Sequence, residues 1–262
     1  MRSRKIPMSP EEFRHLPREV GWKYEYSGGC AHIRPRHLVA QLRVLVAPRS
    51  LPDTGCDIRP VFPVDTPGLV RAFLDGFRDT VEYCDYSAAD FRHSGEDAVA
   101  TFFAGRRGAF DAASRLATPC DDPAVVAGAA LIVRKGDGPF LDMLFIRERW
   151  QRAGLATALV GSVLNALHET GAPHLGSAYN VANVPSVAWH HRFGFVERPN
   201  FPLARARAQV LRHELSRRGS VGDLTDADRA ALEAEAAHWE GVVNSWESAI
   251  IRPAADGARR RL

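Results

Sequence analysis

The sequence has few cysteines, and their spacing excludes several kinds of site. Its 262 residues include four cysteines, which lie far apart at Cys30, Cys56, Cys84 and Cys120. None of them forms the C-x-x-C pair that is typical of zinc sites and redox dithiols. We therefore expect reduced thiols with a structural role, and no metal cofactor.

Long apolar runs are also lacking. A membrane-spanning helix needs about 20 apolar residues in succession, and no segment of the sequence approaches that length. The basic N-terminus is followed by Pro7 and Pro10 rather than by the apolar stretch of a secretion signal. The sequence therefore predicts a cytoplasmic protein without a membrane partner.

Lysine is scarce, and the positive charge is not concentrated. Lys5, Lys23 and Lys135 are the only lysines among 34 basic residues, and the net charge is +3. The basic residues before Ser50 are scattered among aromatic residues and prolines. Because a nucleic-acid-binding arm gains affinity from clustered cations, we interpret this region as solvated surface rather than as a nucleic-acid interface.

The sequence does contain an ordered succession of predicted strands and helices. Trp22, Tyr24 and Tyr26 alternate with charged residues up to a Gly28-Gly29 turn, which predicts a hairpin over 22–35, and a further strand is predicted over 38–46. After a linker rich in proline, strands are predicted near 56–62, 114–118, 125–133, 140–146 and 174–179. Helices are predicted near 66–78, 94–107, 155–170 and 184–192, and an acidic loop with Glu82, Asp85 and Asp90 separates the first two.

Two further helices are predicted in the C-terminal part, over 202–217 and 226–251. The second has Thr225 as its N-cap and is stopped by Pro253. Its apolar stripe of Leu232, Trp239 and Trp246 must be covered. Docking on its own domain is one interpretation, and a homodimer through this helix is the alternative.

The segment FIRERWQRAGLATALV predicts an anion site between a strand and the first turn of a helix. The first N–H groups of a helix have no intrahelical partner and lie at the positive end of its dipole. At Gly154 and Ala156 a bulky side chain would keep a diphosphate away from the backbone.

This spacing, Q/R-x-x-G-x-G/A, resembles the cofactor motif of the GNAT acetyltransferase superfamily. The preceding FLDMLFI is similar to the fourth strand of that family. About thirty residues downstream, NVPSVAWHHRFGF is similar to the second motif of the family, with matches at Asn183, Ser186, Trp189, Arg192, Gly194 and Phe195. The resemblance covers about residues 56–195.

The resemblance implies an α/β fold with a mixed, mostly antiparallel central sheet flanked by helices. To this fold the chain adds an N-terminal β-hairpin region at 1–50 and a helical C-terminal extension at 201–262, around an acetyltransferase domain at 56–200. The resemblance also implies acetyl-CoA as co-substrate. Its binding residues would be Phe145, Ile146, Gln151, Arg152, Ala153, Gly154, Leu155, Ala156, Thr157, Asn183 and Ser186.

Two residues are candidates for proton transfer. Asp142 is the nearest carboxylate that could deprotonate an attacking amine, and the alternative is a strand residue paired with an arginine. His190 stands where the family usually has a tyrosine. It could donate a proton to the departing thiolate, orient the thioester, or take no part; we favour the first, and His190→Phe would then reduce turnover but not acetyl-CoA affinity.

One departure from the family concerns the sheet. Relatives usually add two strands after the position of Phe195, whereas here the chain turns helical at Pro202. We expect the strands between Trp22 and Val46 to extend or cover the sheet in their place, because an open edge invites aggregation.

The predicted function is acetyl transfer from acetyl-CoA to a primary amine by direct attack in a ternary complex. The acceptor is a small molecule or a protein, and the acidic loop would suit a cationic amine. The alternatives are an acyl-CoA-binding regulatory module without strong catalysis, and an interaction protein that uses the terminal regions.

Overall fold

The structure is a computed structural model that describes the backbone of residues 3–251 and the side chains of residues 3–246. The chain divides into two units, Gln41–Arg198 and a second formed by Ser3–Ala40 with residues 199–251. No helix in this described part combines the length and the apolar character needed to cross a membrane. The predicted helix stop at Pro253 lies outside the described residues.

Both units contain strands and helices. The strands are β1 (Arg4–Pro7), β2 (Trp22–Ser27), β3 (Cys30–Pro35), β4 (Val39–Leu45), β5 (Cys56–Pro60), β6 (Ala109–Phe110), β7 (Arg115–Pro119), β8 (Gly128–Lys135), β9 (Gly138–Ile146), β10 (His174–Asn180) and β11 (Val196–Arg198). The helices are α1 (Pro10–Arg14), α2 (Thr66–Gly76), α3 (Ala88–Phe103), α4 (Leu155–Glu169), α5 (Val184–Phe193), α6 (Phe201–Val221) and α7 (Asp226–Ile251).

The first unit is built on an eight-stranded sheet. Seven strands follow the order β11-β4-β10-β9-β8-β7-β5, and β6 pairs with β8. β9 and β10 run parallel. The pairs β11–β4, β5–β7, β7–β8 and β8–β9 are antiparallel. The mixed, mostly antiparallel sheet predicted from the sequence is therefore confirmed.

β4 is the N-terminal strand that completes this sheet. It lies between β11 and β10, with Arg43 opposite Val196. Every second residue of β4, at Ala40, Leu42 and Val44, is buried, as expected for a strand that packs one face against a core. The expected extension of the sheet is thus confirmed for β4, but β2 and β3 pair with β1 in a separate three-stranded sheet.

Helices α2 and α3 pack against the sheet through one apolar cluster. Their buried side chains, which include Phe73 and Phe102, contact Leu131, Met143 and Phe145 of the strands. The ring centroids of Phe73 and Phe145 are 5.7 Å apart. Because the Phe145 side chain belongs to this core, only its backbone is available to a ligand.

Helix α3 begins earlier than predicted. It starts at Ala88 rather than at Ser94, because Ser87 caps it and accepts a hydrogen bond of 3.1 Å from the backbone N–H of Asp90. The Ser87 hydroxyl in turn donates to the Asp90 carboxylate at 2.6 Å. Asp90 therefore lies in the first helical turn, and the expected acidic loop between the helices keeps only Glu82 and Asp85.

In the second unit, α7 packs on α6. Ala236 is fully buried, and the guanidinium carbon of Arg207 lies 4.5 Å from the centre of the Trp239 ring. The N–H of Asp228 donates to the Thr225 hydroxyl at 3.1 Å, which confirms the predicted N-cap. Leu232 and Trp239 of the predicted stripe are only partly buried, and Trp246 is 44% exposed. The packing on α6 agrees with the first interpretation, and a homodimer through α7 stays a prediction.

Candidate functional site

The loop before α4 presents backbone donors without partners. β9 ends at Ile146, and a left-handed residue, Gly154 (φ 83°), caps α4 without any side-chain hydrogen bond. The first helical bond runs from the N–H of Ala158 to the carbonyl of Gly154. The N–H groups of Leu155, Ala156 and Thr157 therefore have no acceptor within the helix, and they can bind an anion together.

Glycine is favoured at position 154 by its backbone angle rather than by crowding from neighbouring atoms. Its positive φ lies in the left-handed region that favours glycine. A Cβ built there would meet Pro52 at 3.7 Å, an ordinary van der Waals distance, so neighbouring atoms do not exclude a side chain. The sequence analysis identified the need for a small residue but not the left-handed angle.

The loop is fixed at both ends. The side-chain amide of Gln151 donates to the carbonyl of Ile146 at 2.9 Å, which fastens the loop to the end of β9. The segment before β5 lies along α4, where the Asn165 side chain bonds both backbone groups of Arg49, at 2.7 and 3.0 Å. This segment was predicted to be only a linker, yet its Arg49 backbone is held by α4.

β9 and β10 pair briefly and then separate. Their Cα partners are Gly176 with Phe140 and Ser177 with Leu141. At the next residue, Asp142, β9 has a bulge, because β8 pairs with Met143 and Leu141 and skips Asp142. A bulge bends its strand, and the described residues show no pair between β9 and β10 after Leu141. We call this unpaired stretch between the two strands the fork.

Asp142 lies at the start of this fork and is paired with cations. Its carboxylate accepts a hydrogen bond of 2.5 Å from Nε of Arg107, and Nζ of Lys135 is 3.6 Å away. The side chain is 6% exposed. This pairing agrees with the alternative that the sequence left open for Asp142, and its role as a general base stays a prediction.

The second motif forms α5 and joins it to the acidic loop. Asn183 caps the helix by accepting a 3.2 Å hydrogen bond from the N–H of Ser186. Its amide nitrogen also donates to both carboxylate oxygens of Glu82, at 2.9 and 3.1 Å. Asn183 thus holds the Glu82 carboxylate beside α5, the helix that contains His190.

His190 is buried at the fork with both ring nitrogens hydrogen bonded. Nδ1 lies 2.8 Å from the carbonyl oxygen of Ser186, and Nε2 lies 2.9 Å from the hydroxyl of Ser177. Because a carbonyl only accepts, we assign the proton to Nδ1, and Nε2 accepts from the Ser177 hydroxyl. Burial lowers the pKa of His190 below its ordinary value of 6.5, although the bond to Ser186 opposes this. The ring is therefore held neutral.

Ser177 is the site residue that the sequence analysis missed. It is 1% exposed and lies on β10 at its last pair with β9. It belongs to neither motif, and the one signal for it is a hydroxyl among the buried residues of a short strand. Its hydrogen bond to His190 links β10 to α5 at the fork.

The comparison with known families agrees with this geometry. Residues 80–195 match the model described as the acetyltransferase (GNAT) family.

These residues form a GNAT acetyltransferase domain. The match contains both sequence motifs, the fork and His190, and it omits β5, α2, β11 and residues 41–45 of β4, which belong to the same structural unit. No curated protein sequence matches the chain.

Solved structures of similar fold are distant. A GCN5-related N-acetyltransferase from Sphaerobacter thermophilus is 16% identical with a TM-score of 0.45, over 61% of this chain and 48% of that protein. PaiA N-acetyltransferase from Thermoplasma acidophilum, in complex with coenzyme A, is 12% identical with a TM-score of 0.45, over 55% and 92%. The ribosomal-protein-S18-alanine N-acetyltransferase from Escherichia coli is 19% identical with a TM-score of 0.42, over 55% and 79%. No substrate follows from likenesses this distant.

Proposed function

We propose that the GNAT domain transfers an acetyl group from acetyl-CoA to a primary amine. The observation that carries this proposal is the combination of two features at one end of the sheet. The N-terminus of α4 offers three N–H groups without intrahelical partners, and the neighbouring strands β9 and β10 separate after a single short stretch of pairing.

The residues present fit acetyl-CoA. The N–H groups of Leu155, Ala156 and Thr157 would hold its diphosphate, and Gly154 leaves the backbone accessible. The backbone of Phe145 and Ile146 borders the fork, where an extended pantetheine arm would take the place of a strand. Arg152 and Ala153 are exposed in the same loop. When bound, acetyl-CoA supplies an acetyl thioester as the acyl donor.

Proton transfer at the fork would depend on His190 and on a carboxylate. His190 donates a proton in its imidazolium form, and it positions the Ser177 hydroxyl in its neutral form. Two carboxylates are within the domain's candidate site. Asp142 would have to leave Arg107 to accept a proton, whereas Glu82 accepts hydrogen bonds only from the amide of Asn183 among the described residues.

The acceptor that we propose is a cationic amine. Glu82 and Asp85 lie in the loop after α2, and an acidic loop attracts a positively charged substrate. The chemistry does not separate a small polyamine from a lysine side chain. The same site would serve either acceptor.

A second candidate function has one specific observation in its favour. His190 is buried, its pKa is lowered, and both of its nitrogens have partners. A lowered pKa reduces the fraction of imidazolium at neutral pH, and only the imidazolium form can donate a proton to the thiolate. The domain could then bind acyl-CoA as a regulatory module and transfer the acyl group slowly.

Calorimetric titration with acetyl-CoA tests the proposal, using Gly154→Glu and a matched control. Both Gly154 (φ 83°) and Gly171 (φ 72°) have left-handed angles at opposite ends of α4, so a glutamate causes similar backbone strain at each. We expect Gly154→Glu to lose binding, because its carboxylate repels the diphosphate, and Gly171→Glu to keep it.

The outcomes separate three conclusions. Binding lost only in Gly154→Glu supports the cofactor site, and thiol release with an added amine then supports transfer. Binding without thiol release from any cationic amine favours the regulatory module. Absence of binding to the wild-type protein contradicts the proposal.

A further inference from the structure

Outside the GNAT domain, the second unit contains an open cleft of about 580 Å³ between α6, α7 and the segment that carries Arg18. Its polar lining residues are Arg18, Arg205, Gln209, Arg212, Glu240 and Asn244. Three guanidinium groups and two amides thus share the cleft with a single carboxylate. Clefts of this volume are the size of small-molecule sites.

Arg18 is held in the cleft by aromatic rings and lacks an acceptor. Its guanidinium carbon lies 5.6 Å from the ring centre of Phe13 and 5.8 Å from that of Tyr24. Its Nε is buried, and no atom of the described residues accepts a hydrogen bond from it. Since Arg18 also lines the cleft, a ligand there would meet the rest of the side chain rather than Nε.

The other two arginines lie on the same face of α6. Arg205 and Arg212 are seven residues apart, which is about two helical turns. Arg212 forms a bidentate salt bridge with Glu240, with hydrogen bonds of 2.7 and 2.6 Å, which fixes the plane of its guanidinium group. Arg205 forms no ion pair with any residue that the structure describes. The cleft therefore has one arginine that is oriented and two, Arg18 and Arg205, for which residues 3–246 provide no ion-pair partner.

We propose that this cleft binds a small molecule through a phosphate group. Guanidinium and amide groups donate hydrogen bonds in a planar arrangement that suits phosphate oxygens, which only accept. The charge of +2 on the lining residues balances a phosphate dianion. The site lies in the second unit and does not depend on the acetyl transfer proposed above.

Calorimetric titration of the full-length protein with glycerol phosphate, and separately with inorganic phosphate, tests this proposal. Arg205→Gln should weaken binding about tenfold or more, because it removes one charged donor. Arg229→Gln is the matched control and should bind as the wild type does. It makes the same charge change at an exposed position of α7, eleven residues before Glu240 and about 16 Å from it along the helix.

A variant that should increase phosphate affinity distinguishes a specific effect from a misfolded protein. Glu240→Gln removes the one carboxylate of the cleft and should strengthen binding severalfold, whereas a damaged protein would bind less. The titrations are repeated in a Gly154→Glu background, since the N-terminus of α4 could also bind phosphate.

The result distinguishes the ligand's source and the site. Glycerol phosphate binding more tightly than inorganic phosphate would indicate an organic phosphate, and equal affinities would indicate the free anion; both support the cleft. No binding of either probe, or equal loss in Arg205→Gln and Arg229→Gln, overturns the proposal.

Discussion

Replacing His190 by phenylalanine separates proton transfer from binding and packing. The ring lies among aromatic side chains, with centroid distances of 4.9 Å to Trp189, 5.3 Å to Tyr179 and 5.1 Å to Phe195. Phenylalanine fills this space but has no ring nitrogen. If His190 is the general acid, turnover should fall about 10²-fold or more, and acetyl-CoA affinity should stay unchanged because neither diphosphate nor backbone contacts are altered.

The same change should affect stability by a predictable amount. The Ser177 hydroxyl would lose its acceptor in a site where it is 1% exposed, and an unsatisfied buried polar group costs about 1–3 kcal/mol. Adding Ser177→Ala to His190→Phe removes that hydroxyl. The double variant should therefore recover most of the stability, measured by urea unfolding, without recovering turnover.

The pH dependence gives an independent check with a definite sign. Because burial lowers the pKa of His190 in the folded protein, the unfolded chain binds more protons at this residue below its ordinary pKa. Its contribution to folding stability is thus present above about pH 6.5 and is lost as the pH falls towards the lowered pKa. In His190→Phe, this decrease in folding stability at low pH should be absent.

The rate has the opposite dependence if His190 acts as an imidazolium acid. Its protonated fraction falls as the pH rises through the lowered pKa, so the wild-type advantage in kcat over His190→Phe should be larger near pH 6 than near pH 8. The assay is thiol release with the amine that reacts fastest in a screen. Equal turnover of the two proteins across this range would refute the assignment of His190 as the acid.

Two further predictions concern the base and the sheet. Glu82→Gln should lower kcat by about 10²-fold or more if Glu82 is the general base, with Asp142→Asn measured beside it in the same thiol-release assay; whichever variant keeps wild-type kcat is not the base. In β4, Leu42→Asp should destabilise the protein by more than about 4 kcal/mol, because Leu42 is 2% exposed, whereas Leu45→Asp at 77% exposure should have little effect on the urea midpoint. Similar midpoints for the two β4 variants would argue against a place for β4 inside the sheet.

The elements of the site that follow from local sequence were predicted well. The loop before α4 depends on short-range chemistry, namely a small residue at Gly154, which the sequence analysis identified. The cap of α5 by Asn183 is equally local, although the sequence analysis identified Asn183 only as a match to the motif. The late start predicted for α3 was an error of the same local kind. Ser87 followed by Asp90 is a capping pattern, and it was interpreted as part of an acidic loop.

The parts that were not predictable depend on residues far apart in the chain. The alternation in β4 indicates that one face is buried, but it does not tell which strands lie on either side. The bulge at Asp142 depends on the register with β8, and the bond between Ser177 and His190 depends on how α5 packs against β10. Glu82 was expected at the acceptor site, although its contact with Asn183 joins residues that no local pattern connects.

The position of β4 also affects the order in which the protein can assemble. During synthesis β4 leaves the ribosome early, but its neighbours β10 and β11 follow much later, and its partner Val196 is 153 residues after Arg43. Until then the apolar face of Leu42 and Val44 has no strand on either side. Contacts this distant in sequence slow folding, and an apolar strand that stays exposed and unpaired is prone to aggregate. We therefore expect the pairing of β4 with β10 and β11 to be the last step of folding. A nascent chain that stalls before β10 is synthesised should then bind chaperones.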